Sequence, residues 1–576
     1  MLVSPQQSIF TVLLASFYLL ADSMSFGEAM RADSVSHYRS SSNSETFTED
    51  LLVKPLHDGK VLLHFEFRVQ QPSAEASSSQ HHYHLFPRQI GEIAKQNGVD
   101  ELHLSFTQGG WRQDTWGSPP VNSQGVGAEI IARINGTEDG SSGSKWKGLT
   151  NALSGVFCAS LNFIDEGNTA MPQLTFTTQN TKRDGVRAGQ DNSAATNILR
   201  HGYLPRENVC TENLTPWIKQ LPCQAKSGIG ALLNPYRLFN MHFHSMGISL
   251  EPSIEGEIGS NRKTLNYKQY ISVVLDPHTF NLDKSWTLSE LMDRDLYGAC
   301  QVSTKSTVRV IMPDSGLKVL PKPATTMRLA GDQVSVFDIQ KQNISDIEFE
   351  FTKVAANVQT AATQQPTISA HRYVNGHGGS SGGVVTEIIN RSSQPMDIIF
   401  LDTLPWYLRV YSHTLDIEAT TADGQVKKLT PTKILFTPAI DRGRPSSIEL
   451  SLSVPENTRT TLRYSFDKGF LKYTEHPPDA NRGFNIGPAI ITYQQSADRV
   501  DVKESLFCAL QRPYSNNTKN CTVRIHTELF LASLPTPDFS MPYNVITFTC
   551  TVLALFFGRI FNLLTRDFAV LKEDND

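Results

Sequence analysis

The run Asn544 to Leu564 (NVITFTCTVLALFFGRIFNLL) constrains this chain more than any other stretch. Its 21 residues match the roughly 20 that an α-helix needs to cross a hydrocarbon core. Arg559 is the one charge within it. An arginine at mid-bilayer costs about 2.5 to 3.5 kcal/mol, but this one lies five residues from the C-terminal end, where the side chain reaches the headgroups. The alternative, a buried core helix, is disfavoured because Thr547, Thr549, Thr551 and Arg559 are spread around its faces. Arg559 and Arg566 follow the midpoint and Asp538 precedes the run, so the positive-inside rule puts residues 565–576 in the cytosol and the bulk of the chain on the other side.

The opposite end fits that orientation. Ile9 to Leu20 (IFTVLLASFYLL) is too short to span but matches the apolar core of a signal peptide, with Ala21-Asp22-Ser23 offering small residues for cleavage. Residues 1–23 are therefore expected to be removed. A secretory route means an oxidising medium, in which cysteines pair.

Between these ends, 39% hydrophobic and 19% charged residues with a net charge of −5 describe a folded ectodomain with no electrostatic footprint for nucleic acid. Its length exceeds one hydrophobic core. The Ser-rich residues 24–50 read as a flexible leader. Residues 51–353 read as a β-rich domain with helices, beginning with a hairpin in which LLVKPL and KVLLHFEFRV flank the turn His57-Asp58-Gly59. Phe86 to Gly98 reads as a short helix between Pro87 and Gly98. Trp146, Leu149, Leu153, Phe157 and Leu161 fall at helical spacings, which sets Cys158 on an apolar helix as a buried free thiol. Thr287 and Glu290 form a capping box. Residues 354–370 lack charge and periodicity and read as a linker. Residues 371–533 alternate like antiparallel strands of a β-sandwich, and 534–543 is a juxtamembrane segment stiffened by Pro535, Pro537 and Pro542. The fold expected is a β-rich α+β ectodomain, mixed α/β in its N-terminal part and a β-sandwich in its C-terminal part, plus one C-terminal transmembrane helix at 544–564.

Candidate chemistry is sparse. Gly378-Gly379-Ser380-Ser381-Gly382 matches a nucleophile elbow formally, but strand-like residues follow it where an elbow needs a helix. His81, His82 and His84, or His242 and His244, invite a metal reading, yet no cysteine or carboxylate supports either group at short spacing. No cofactor and no metal is called for. Asn135, Asn343, Asn390, Asn516 and Asn520 open glycosylation sequons. Six cysteines remain once Cys550 is placed in the bilayer, and they allow 15 complete pairings. Cys508 and Cys521, 13 residues apart across a polar turn, make a local pair. A bridge from Cys210 to Cys223 has the same spacing.

Several blocks together resemble one family: ELHLSFTQGGWRQDTWG (101–117), LSGVFCASLNFID (153–165), LPRENVCTENLTPW (204–217), LDTLPWYLRVYSHTL (401–415), LPTPDFSMPYNVI (534–546) and FNLLTR (561–566). The chain resembles the T subunit family of the GPI transamidase complex. The resemblance implies a non-catalytic, single-pass type I subunit of the endoplasmic reticulum membrane, in a complex that replaces a proprotein's C-terminal signal with a GPI lipid. It implies a caspase-like catalytic subunit and multi-span subunits as partners, with proprotein and GPI lipid met indirectly. It also implies that Cys210, in an exposed polar loop with Asn208, Thr211, Glu212 and Asn213, forms an intermolecular disulfide to the catalytic subunit, while Cys223 pairs with Cys300. Within the span, Arg559 and Asn562 are one turn apart and are expected to face partner helices. A single-pass adhesion or receptor-type ectodomain is the alternative reading.

Overall fold

The structure, a computed structural model, describes residues 45–569 apart from 73–82, 123–124, 136–140, 177–196, 256–261, 283–284, 313–316, 343, 352–365, 377–378, 478, 497–503, 512–519, 537 and 539. The first strand, Thr46–Pro55, pairs antiparallel with Val61–Pro72 across the Asp58-Gly59 turn. It starts inside the stretch read as a flexible leader, so that boundary moves back to Thr46. The reason lies in its charges. Glu49 and Asp50 look like surface residues, but Asp50 is buried in an ion pair with Arg309 and accepts the Thr307 hydroxyl at 2.7 Å. A buried carboxylate is tolerated when it is paired or hydrogen-bonded in this way.

This hairpin enters an eleven-stranded sheet. From one edge to the other its strands are Thr325–Leu329, Asp332–Asp338, Lys305–Met312, Thr46–Pro55, Val61–Pro72, Arg262–Leu275, Phe243–Glu255, Val99–Gln108, Gly127–Asn135, Asn197–Leu204 and Thr169–Ala170. Thr46–Pro55 runs parallel to Lys305–Met312, and the other pairings are antiparallel. The helices Arg88–Gln96, Ser141–Phe157 and Thr211–Lys219 cover one face, burying Ile90, Leu153, Phe157 and Trp217 against Phe67, Phe106 and Ile248. Each such side chain contributes about 1.5 to 3 kcal/mol of transfer free energy. The expected capping box forms: Thr287 Oγ1 accepts the Glu290 N–H at 3.1 Å and Glu290 accepts the Thr287 N–H at 2.9 Å, opening the helix Leu288–Met292.

Two five-stranded sheets make a sandwich. One runs Ile368–Asn375, Ser381–Asn390, Thr458–Lys468, Leu408–Thr421, Val426–Lys428, and the other Lys433–Thr437, Ser446–Val454, Met396–Leu404, Ile490–Ser496, Asn520–His526. Val384, Ile388, Phe400, Leu450, Leu462 and Phe466 fill the space between them. Strand structure begins at Ile368, and Ile368 and Ala370 are buried. The end of the segment read as a linker is thus sandwich.

The sheet and the sandwich share a seam. Glu449 accepts the backbone N–H groups of Gln173, Leu174 and Thr175 at 2.7, 2.6 and 3.2 Å. Glu129, on the large sheet, accepts from His201 at 2.9 Å and from His526 of the sandwich at 3.1 Å. The helix Leu506–Gln511 packs Leu506, Ala509 and Leu510 onto the second face of the large sheet, beside Leu62, Phe243 and Trp116. The described residues from Glu45 onward accordingly form one unit.

The last element is an apolar helix, Ser540–Thr565, with no buried residue and the length to cross a membrane. It starts four residues before Asn544, so Pro542 lies in its first turn rather than barring it. A proline is accepted there because its missing N–H has no intrahelical partner to lose. The hydroxyls of Thr547, Thr549 and Thr551 donate to the carbonyls four residues back at 2.8, 2.7 and 2.8 Å, which explains polar residues on every face of a span.

Candidate functional site

The stretch around Cys210 is built from the core outward. Trp217 is fully buried, its indole N–H donates to the Gly247 carbonyl at 3.1 Å, and its own carbonyl accepts from Gln269 at 2.9 Å. Leu214 is buried one turn earlier. These residues root the helix Thr211–Lys219 on the large sheet, and Cys210 is its N-cap residue. The reading of residues 208–213 as a polar loop is corrected on this point: Thr211 starts a helix and Asn213 is buried. Its amide serves three backbone groups. Oδ1 accepts the Cys210 N–H at 2.9 Å, while Nδ2 donates to the carbonyls of Phe157 and Cys158 at 3.0 and 3.2 Å. The Cys210 thiol is exposed and has no disulfide partner in this chain.

Cys158 departs from expectation. It is an exposed free thiol, not a buried one. The helix Ser141–Phe157 stops before it, and Cys158 takes a left-handed backbone with φ 51°. The chain turns there, away from the apolar stripe of Trp146, Leu149, Leu153 and Phe157.

Cys223 is bonded to Cys300, and Cys508 to Cys521. Cys223 is therefore not available to Cys210. Next to the first bridge, Glu49 accepts the Ile229 N–H at 3.0 Å, the Ser306 hydroxyl at 3.0 Å and the Cys300 N–H at 3.4 Å. Burial outweighs these donors and pushes its carboxyl up to about 7.

The other sequence-marked residues are dispersed. Asn135 is half-buried and donates to Asp100 at 2.9 Å. Asn390 is removed from the glycosylation candidates: it is buried, and its Nδ2, the atom a glycan would need, donates to the carbonyls of Gln394, Val454 and Pro455 at 3.1, 3.3 and 2.9 Å. Asn520 opens the strand Asn520–His526. Asn343, Asn516, Pro537, His81 and His82 lie outside the described residues. Pro535 precedes the apolar helix, and Arg559 and Asn562 lie on it, exposed. Ser380 sits in the hairpin between Ile368–Asn375 and Ser381–Asn390, with strand rather than helix after it. His244 is wholly buried beside Phe239, which holds its imidazole down to about 4, whereas His242 is exposed near Asp276. The two do not share a site. Among the described residues no group of three or more His, Cys, Asp or Glu is arranged to hold a metal ion.

Sequence reasoning passed over one buried polar set. Arg372 and Asp402 are fully buried, paired at 2.7 Å, and the Tyr464 hydroxyl also donates to Asp402. The signal was a carboxylate inside the apolar run MDIIFLDTL, where alternation alone gave no reason for it.

A family model described as Gpi16 subunit, GPI transamidase component, matches residues 34–284 and 277–576. The GPI-anchor transamidase component PIGT of Homo sapiens is 37% identical over 547 residues, covering 91% of each chain. The GPI transamidase component PIG-T homolog of Schizosaccharomyces pombe is 33% identical over 538 residues, covering 91% of this chain and 90% of that one. The GPI transamidase component GPI16 of Saccharomyces cerevisiae is 29% identical over 571 residues, covering 92% and 89%.

Proposed function

Because the chain belongs to the Gpi16 family of GPI transamidase components, we propose that it serves that complex as a non-catalytic scaffold, tethering the caspase-like catalytic subunit through a disulfide from Cys210. The observation that carries this reading is an exposed thiol, without a disulfide partner in this chain, at the N-cap of a helix rooted in the core by Trp217 and Leu214. A disulfide forms only when two Cα atoms come within about 4.4 to 6.8 Å. A thiol on a rigid base meets that condition wherever a surrounding non-covalent interface has already aligned the partner. The chain acts in the endoplasmic reticulum membrane as a single-pass type I protein, after loss of residues 1–23, with its ectodomain lumenal and sequons such as Asn135, Asn343, Asn516 and Asn520 available there. Ser540–Thr565 spans the bilayer beside the multi-span subunits, and the ectodomain helps present proprotein and GPI lipid.

Non-reducing electrophoresis of the purified complex tests the tether. A heavier band should collapse on reduction to this chain plus the catalytic subunit, and Cys210→Ser should abolish it. Retention of that band in the variant refutes the assignment.

A further inference from the structure

A cleft of about 360 Å³ opens along the seam between the large sheet and the sandwich. Ligand sites of roughly 300 to 1,000 Å³ recur at such junctions. Its wall carries the rings of Tyr407 and Phe484, with centroids 5.1 Å apart. His201, Tyr203, Asn168 and Glu207 on the wall are engaged in hydrogen bonds, while four other polar groups are not. Thr403 Oγ1 is buried without a hydrogen-bond partner. Among the described residues the Tyr407 hydroxyl, the Asn485 amide and the Arg206 guanidinium also have none. Native structures rarely leave a buried hydroxyl unmatched, and this one belongs to a residue that lines the cleft.

The chemistry narrows the occupant. Pro205, Pro405, Pro477 and Pro488 line the cleft. Proline has no N–H, so an extended peptide cannot add to these walls as a strand. A dianion is disfavoured because Glu207, which accepts the Ser160 N–H at 2.7 Å, lines the cleft next to Arg206 and offsets its charge. What remains suited is a neutral molecule with an apolar C–H face for the rings and a rim of hydroxyls that both donate and accept.

We propose that this cleft is a saccharide-binding site for one or two neutral pyranose units, stacked on Tyr407 and Phe484 and hydrogen-bonded by Thr403, Asn485 and Arg206. The site goes beyond the scaffold reading, and two sources share its chemistry: the glycan portion of a GPI lipid and an N-linked glycan of a lumenal protein.

Saturation-transfer NMR on the full complex, held in a detergent without a sugar headgroup, tests it with α-1,2-mannobiose as probe. Transfer to the pyranose ring protons is expected, with affinity falling at least tenfold in the double variant Thr403→Val, Asn485→Ala. Arg206→Ala, at an exposed position, serves as a second variant that leaves folding unchanged and is expected to weaken binding likewise. Displacement of the probe by a delipidated GPI glycan or by a released high-mannose N-glycan supports the site and identifies the source. No transfer to mannobiose, displacement by neither glycan, or equal affinity in all variants overturns the proposal. The Cys210-linked band is read separately on the same samples, so failure of the tether and failure of the site are distinguishable.

Discussion

Asn213 Oδ1 accepts the Cys210 N–H at 2.9 Å, so a buried amide fixes the backbone of an exposed thiol. The same amide ties Cys210 to the end of the preceding helix through Phe157 and Cys158. Asn213→Ala keeps the thiol but strands two carbonyls and one N–H, at a cost of about 1 to 3 kcal/mol for buried groups left unpaired. The expected outcome is a weaker disulfide-linked band on non-reducing gels with Cys210 intact. A band of wild-type intensity in Asn213→Ala removes the case that the amide positions the thiol.

Glu49 supplies a pH test. Its carboxyl is raised from 4.5 to about 7 by burial. The folded state therefore keeps a proton that the unfolded state has already lost, and stability falls as pH rises from about 4.5 to about 7. The full span amounts to about 3 kcal/mol. Glu49→Gln keeps an acceptor for the Ile229 and Cys300 N–H groups and removes the titration. Thermal unfolding midpoints of the wild type should drop between pH 5 and pH 7, and those of the variant should stay flat. Parallel curves for the two proteins contradict the assignment.

Arg372 and Asp402 call for a paired experiment. Removing one partner leaves a buried charge alone and costs about 3 to 5 kcal/mol, whereas replacing both by apolar groups of similar size is often neutral. Asp402→Leu should therefore lower the unfolding midpoint sharply, and Arg372→Met with Asp402→Leu should recover most of it. Tyr464 and Gly487 lose a partner in the double variant, so recovery is expected to be incomplete. An additive double variant excludes coupling.

Local patterns made much of this fold legible. The Asp58-Gly59 turn, the Thr287–Glu290 capping box and the spacing of Trp146, Leu149 and Leu153 each correspond to the element found, because each rests on contacts within a few residues. Two of the misses have a common cause in distant partners. Thr46 to Asp50 looked like leader because Arg309 and Ser306, which satisfy its carboxylates, lie over 250 residues away. Asn390 looked like a glycan acceptor because the Val454 and Pro455 carbonyls that occupy it arrive from another strand. Cys158 looked buried because helical spacing continued to Leu161, and nothing local announced the left-handed residue that ends the helix. The cleft at the seam draws on Arg206 and Asn485, which no sequence window brings together.

The spanning helix carries the last test. Its threonines meet their hydrogen-bonding needs within the helix: Thr547, Thr549, Thr551 and Thr565 all donate four residues back. Arg559 and Asn562 have no such partner among the described residues, and three positions apart on a helix they share a face. A polar pair in a span turns toward protein or water, and interhelical hydrogen bonds there are worth about 0.6 to 2 kcal/mol each. The proposed tether at Cys210 lies outside this helix, so its loss and the loss of this pair are separable. Arg559→Leu is expected to reduce co-purification of the multi-span subunits several-fold, more so with Asn562→Leu, while the Cys210-linked band persists. Co-purification at the wild-type level in the double variant means that Arg559 reaches the headgroups instead, and that partner helices do not read this face.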